Sequence, residues 1–220
     1  VDISHEVQPQ NILQAAFMLF HSYCYFPEGT VHVSVVDPGV GTSRRAVLLV
    51  TPQAFFLAPD NGLLSYVIGS RRKQKAGLRK LDSSFQAYSL NRRAFWRNDV
   101  SQTFHGRDIF APVAAHLSLG VKPEELGDRV DSLTALPIPR LRLSSTHELT
   151  GEVFYIDRFG NLITNIPSEK VPSDVVIRIA DREIKGLSSS YEAGEDLLAI
   201  TGSFGLLEIA YRGGSAAEYL

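Results

Sequence analysis

The chain has 220 residues, 44% apolar and 21% charged, with a net charge of −2. This is ordinary globular composition, which excludes a disordered, collagen-like or coiled-coil chain and allows one large domain or two modest ones. The near balance of charge argues against wholesale binding to nucleic acid, and the single cysteine, Cys24, excludes an internal disulfide and a multi-cysteine metal site and suits a reducing, cytoplasmic setting. The longest apolar stretch, residues 12–20, is broken by Gln14 and is far shorter than the roughly 18 residues that span a bilayer, so no membrane contact is expected. Residue 1 falls within structured-looking sequence, so a preceding segment is expected.

In chain order, helix-like runs at 11–23, 63–68 and 109–119 alternate with strand-like runs at 31–36, 46–50 and 55–58. This alternation predicts an α/β N-terminal domain with a central, largely parallel sheet. Asp108 reads as the cap of the third helix, Pro112 as a tolerated first-turn residue and Gly120 as its stop. Pro137 and Pro139 stiffen a linker. Short apolar runs at 151–156, 162–166, 175–179, 197–200 and 206–209 then predict a smaller C-terminal all-β, barrel-like domain. The boundary is set near Leu143, giving domains 1–143 and 144–220. Residues 1–145 hold 16 Lys and Arg against 12 Asp and Glu, whereas residues 146–220 hold 6 against 12, so the two parts differ in sign. The cationic run at 71–80 lacks interleaved aromatics and reads as a solvated loop.

Four clusters could carry chemistry. Residues 36–44 (VDPGVGTSR) follow a strand, where α/β sheets bind ligands, but also suit a Pro-Gly turn closed by the Asp37 side chain. No Gly-Lys-Ser/Thr follows, so this is not a phosphate-binding loop. Residues 58–64 (APDNGLL) read as a turn into a helix. In residues 103–108 (TFHGRD), His105 stands before a helix, where it could orient a substrate or move a proton, or equally cap the helix or face solvent. Residues 157–165 (DRFGNLITN) and 202–208 (GSFGLLE) each combine an aromatic, a glycine and polar groups able to stack on a base, pair with its edge or hold an ammonium; singly, each is equally a β-turn. A metal site built from His5, His32, His105 and acids lacks recognisable ligand spacing.

Together, residues 1–7 (VDISHEV), 26–33 (FPEGTVHV), 35–41 (VVDPGVG), 58–62 (APDNG), 103–108, 157–161 and 202–210 (GSFGLLEIA) resemble, in order along the whole chain, the adenosine-forming S-adenosyl-L-methionine hydrolases, relatives of fluorinase and chlorinase. The resemblance implies an α/β domain followed by a β-barrel domain, and a homotrimer with active sites between the N-terminal domain of one subunit and the C-terminal domain of its neighbour. It implies that Asp37, Arg44 and His105 activate water, and that Asp157, Phe159, Asn161, Ser203, Glu208 and the backbone at Ala210 contact substrate. No cofactor or metal is implied, since S-adenosylmethionine is itself the substrate and adenosine a product. The family's first strand, with a Thr-Asp-Phe-Gly segment whose Asp holds the ribose hydroxyls, precedes the point where this chain starts. Two other readings stay open: a halogenase-like substitution, in which a halide would meet the like charge of Asp37, and a non-catalytic binder of adenosine or S-adenosylmethionine.

Overall fold

The computed structural model describes residues 1–69, 76–145, 148–193 and 196–220, so most of the basic cluster within 71–80 lies outside the described residues. The chain divides into two compact units, Val1–Ile138 and Pro139–Leu220, parting within the Pro137–Pro139 stretch a few residues before Leu143.

The first unit begins with helix α1 (Ile12–Tyr23), whose start is capped by Asn11 accepting the Gln14 amide at 3.0 Å. Buried Gln14, which interrupts the apolar run, accepts the Gln8 amide at 2.8 Å and so carries no unmet acceptor into the core. Strands β1 (Thr30–Val33), β2 (Ala46–Val50) and β3 (Ala54–Pro59), helix α2 (Ser65–Gly69) and strands β4 (Gly77–Lys80) and β5 (Gln86–Ser89) follow. After a π-turn at Gly106–Phe110 come helix α3 (Ala111–Ser118) and strands β6 (Asp128–Val130) and β7 (Ser132–Ala135).

The central sheet has the order β1-β3-β2-β5-β6 and is mixed, which corrects the largely parallel expectation. Only β1 and β3 run parallel; β2 pairs antiparallel with β3 and β5, and β5 with β6. The cause is chain length. Residues 51–53 join β2 to β3, with Thr51 Oγ1 accepting the Ala54 amide at 3.0 Å, and so short a link permits a hairpin but no parallel crossover. The unbroken apolar text of β2 and β3 arises because both faces are covered. Val47, Leu49, Phe56 and Ala58 pack in one cluster with residues of α1 and α2, while Leu48 and Leu57 pack in another with Ile109, Phe110 and Val113.

Asp108 does not cap α3. It lies inside the π-turn, where the Ala111 amide reaches back five residues to the Gly106 carbonyl. Gly120 does end the helix, at φ +94°, with the Gly120 amide on the Leu117 carbonyl and the Val121 amide on His116.

The second unit holds strands β8 (Arg142–Leu143), β9 (Leu149–Thr150), β10 (Val153–Ile156), β11 (Leu162–Pro167), β12 (Val176–Ile179), β13 (Arg182–Lys185), β14 (Leu197–Thr201) and β15 (Leu206–Tyr211), then helix α4 (Ala216–Tyr219). It is strand-rich as expected, but the expected barrel does not close. Four strands form an antiparallel sheet, β10-β11-β15-β14, and among the described residues β12 and β13 pair only with each other. Leu162, Ile184, Ala199, Leu207, Ile209 and Ala216 form its core. No helix among the described residues is long and apolar enough to cross a membrane.

The Asp60-Asn61-Gly62 turn acts as a clamp. Asp60, its side chain 5% exposed, accepts Arg45 Nε at 2.9 Å and the Thr134 amide at 2.7 Å, joining the end of β3 to β2 and β7. Asp60→Ala would strand both donors; with Arg45 partly solvated, the expected loss is about 2 kcal/mol of unfolding free energy, read as a lower urea midpoint at unchanged slope.

Candidate active site

The loop between β1 and β2 follows Val33 and is held at Val36, whose carbonyl accepts Asn61 Nδ2 at 2.9 Å. It turns through Gly39 and Gly41. At Gly41 the backbone is left-handed (φ +77°), and a β-carbon there would lie 2.5 Å from the Gln102 carbonyl oxygen. Only glycine lets this loop press so closely on the segment that leads to His105.

The Asp37 side chain does not close the Pro-Gly turn. Its carboxylate receives Arg44 Nε at 3.0 Å on Oδ1 and 2.8 Å on Oδ2, and Arg44 Nη2 on Oδ2. Arg44 Nη2 also lies 2.7 Å from His105 Nδ1, and the guanidinium carbon is 5.7 Å from the Phe110 ring centroid. The Arg44 and Asp37 side chains are 10% and 5% exposed. Three residues from two loops, seven and sixty-one positions apart, thus form one connected group.

A guanidinium only donates, so His105 Nδ1 is the acceptor and the neutral ring carries its hydrogen on Nε2. Burial and then the Arg44 charge push the His105 pKa below its ordinary 6.5, against the smaller opposing pull of Asp37 and Asp108. Asp37 and His105 line a cavity of about 850 Å³, walled also by Val33, Val35, Val40 and His32.

The remaining expected residues lie in the second unit. Asp157 organises the turn between β10 and β11: its Oδ1 accepts the Phe159 and Asn161 amides at 2.9 and 2.8 Å, and its Oδ2 accepts Asn161 Nδ2 at 3.0 Å. Asn161 is buried, yet Phe159 stands 77% exposed on the same turn. Gly160 abuts the C-terminal segment, where a β-carbon would fall 2.1 Å from Ser215 Oγ. Ser203 sits in the turn between β14 and β15, and Ala210 is buried on β15, two residues after Glu208 and on the same face of the strand. Glu208 is 6% exposed, its carboxylate receives no hydrogen bond among the described residues, and burial, followed by the Asp157 charge, raises its pKa.

Sequence reasoning missed Tyr191, whose hydroxyl pKa is raised by burial and then by the charges of Glu208 and Asp157. It also missed the role of Asp108, which reads as a helix cap from its position. His5, His32 and His105 all line the same cavity as Asp37 but do not form a metal-binding group. His5 is an exposed partner of Asp2 at 3.4 Å, and His32 is buried and stacked on Phe56 with ring centroids 5.2 Å apart. No group of three or more His, Cys, Asp or Glu suited to a metal ion occurs among the described residues.

Residues 1–127 match the SAM hydroxide adenosyltransferase N-terminal domain and residues 151–220 match the corresponding C-terminal domain. An (R)-S-adenosyl-L-methionine hydrolase of Thermus thermophilus is 39% identical over 221 residues, covering 100% of this chain and 83% of the relative. A fluorinase of Nocardia brasiliensis is 29% identical over 76% of this chain and 60% of its own length. The crystal structure of an uncharacterized conserved protein from Thermotoga maritima superimposes with a TM-score of 0.84 at 36% identity, covering 100% of this chain and 84% of that one. With matches in both parts of the chain and a full-length relative at this identity, the protein belongs to the SAM hydroxide adenosyltransferase family.

Proposed function

We propose that the protein hydrolyses S-adenosyl-L-methionine to adenosine and L-methionine. The observation that carries this reading is Asp37 and His105 on the cavity wall, joined by Arg44 behind them, in a chain related over its full length to enzymes of that name. Water attacks the ribose 5′-carbon opposite the sulfonium. The oxygen–carbon bond forms as the carbon–sulfur bond breaks, and the electron pair stays on sulfur, which leaves as a neutral thioether. One water proton passes to the Asp37 carboxylate and on to solvent.

The leaving group needs no acid; the weak partner is water, with a pKa of roughly 15.7. Arg44 supplies fixed positive charge beside the developing hydroxide. Asp37, although held by Arg44, keeps lone pairs for a water hydrogen. His105 donates from Nε2 to the water oxygen, so its role is to orient water rather than to take its proton. No step requires a cofactor or metal.

The Arg44 charge offsets the repulsion that Asp37 alone would exert on a halide, so charge does not separate hydrolysis from halogenation. Hydrogen-bond chemistry does. Water can donate to Asp37 while accepting from His105, whereas a halide only accepts. The higher identity to a hydrolase than to a fluorinase supports the same choice. A non-catalytic binder is less supported, because it gives the Arg44–His105 contact no task.

In the second unit, exposed Phe159 suits stacking on adenine, and the Asn161 amide, with Nδ2 tied to Asp157, presents its oxygen to a base edge. Ser203, Glu208 and the Ala210 backbone complete the substrate contacts in this reading. The division of these groups between two compact units, together with the family resemblance, supports a homotrimer whose sites join the first unit of one subunit to the second unit of its neighbour. Sedimentation should then give three times the 24.3 kDa chain mass, and a monomer that binds adenosine tightly would count against the assembly.

Arg44→Leu and His105→Ala should slow single-turnover methionine release by on the order of 100-fold or more with little change in adenosine affinity, as expected of groups that act mainly in the transition state. Below pH 6.5 the wild-type rate should fall as His105 takes up a proton and loses its acceptor for Arg44; in His105→Ala this acid limb should vanish. Losses confined to adenosine affinity would overturn the mechanism. Phe159→Ala should weaken adenosine binding by about 1–3 kcal/mol in calorimetry, and unchanged affinity would remove Phe159 from the base site.

A further inference from the structure

The π-turn that His105 immediately precedes is held by a side chain outside the catalytic group. Asp108, with 0% of its side chain exposed, accepts the Ser101 amide at 2.8 Å, Arg107 Nε at 2.7 Å and Arg107 Nη2 at 3.0 Å. Its own amide donates to the Phe104 carbonyl at 3.1 Å, and its carbonyl accepts the Arg97 amide at 2.9 Å. Arg107 in turn lies over the Phe104 ring, 4.8 Å from its centroid. Asp108 therefore ties together residues 97, 101, 104 and 107, on both sides of His105.

A π-turn inserts an extra residue into the helical register and is harder to sustain than an α-turn, so something must hold it. A buried carboxylate with a guanidinium and a backbone amide as donors does so, because withdrawing it would strand several polar groups. Arg107 and the Ser101 amide lower the Asp108 pKa to about 2, so its negative charge persists across the working range.

We propose that Asp108 is a positioning residue for hydrolysis: anchored by Ser101 and Arg107, it fixes the π-turn so that His105 Nδ1 meets Arg44 and Nε2 meets the attacking water. The inference rests on the water-orienting role given above to His105. The charged groups facing His105 are Arg44 and Asp37 from the loop after β1 and Asp108 from the π-turn. Asp108 favours the imidazolium and Arg44 opposes it, so changing the Asp108 charge should move the acid limb of the rate in a known direction.

Asp108→Asn keeps an acceptor for Ser101 but loses the charge and the pair with Arg107. Methionine release should slow roughly ten- to hundredfold at unchanged adenosine affinity, as for a displaced catalytic group. Without the negative charge His105 protonates less readily, so the acid limb should move to lower pH. Arg107→Met removes the countercharge at a half-exposed site that the fold should tolerate. Asp108 then keeps only the more distant Arg97, its Nε 3.9 Å from Oδ1, as a countercharge, and the limb should move to higher pH. A purely structural part for Asp108 would lower the folded fraction in both variants and leave the limb where it is.

The imidazole signals of His105, followed by NMR during a pH titration, report the same two displacements without relying on turnover. Opposite displacements support the proposal. Limbs and imidazole titrations at the wild-type position in both variants would overturn it, and if Asp108→Asn does not fold, Arg107→Met decides alone. Wild-type protein that releases no methionine would overturn the proposed hydrolysis instead, with the NMR displacements still testing whether Asp108 positions His105.

Discussion

The two-point grip of the Asp37 carboxylate on the Arg44 guanidinium is the constraint around which the first unit's site is arranged. Two ions this well buried persist only when their geometry is good and their remaining hydrogen-bonding groups find partners. Arg44 turns one side to Asp37 and shares Nη2 with His105, and that single donor decides the tautomer of the imidazole. The neighbourhood maintains the alignment: Asn61 holds the loop at Val36, and the bare backbone of Gly41 lets two loops pack against one another.

The same device recurs in the first unit. Asp60 and Asp108 are both buried carboxylates that receive an arginine and a backbone amide, and each ties together segments distant in sequence or path. Desolvating a carboxylate is costly, and a guanidinium fork with an amide N–H repays that cost with direction as well as attraction. Glu208 differs. It is nearly as buried but has no donor among the described residues, and its raised pKa expresses the unmet cost. In the proposed function a substrate group supplies what the second unit withholds. Asp157, in contrast, is already engaged with its own turn and shapes the Phe159 and Asn161 loop.

The sheet explains how such groups come to stand at one end of β1. Among the described residues strand β1 pairs with β3 at the edge of the mixed sheet, and the chain leaving it forms the loop that holds Asp37 and Arg44. The π-turn lies just before α3, where Ile109 and Phe110 anchor it in the core beneath Arg44.

Read alone, the sequence determined the two-part organisation, the elements whose apolar text is continuous (α1, β2, β3, β14, β15), the stop at Gly120 and, through ordered motifs, the family. These are legible because each depends on neighbouring residues or on patterns that survive in linear order. It did not reveal strand direction, because a parallel and an antiparallel strand buried on both faces carry the same text. Nor did it reveal β4, β5 or β13, whose charged and polar residues mask alternation, or the open edges that keep the second unit from closing as a barrel. Only the tertiary structure decided that Asp37 serves Arg44 rather than its own turn and that Asp108 braces the π-turn rather than capping a helix. A carboxylate's role is set by which donors the fold brings within 3 Å, and Arg44 and His105 lie sixty-one residues apart in the chain.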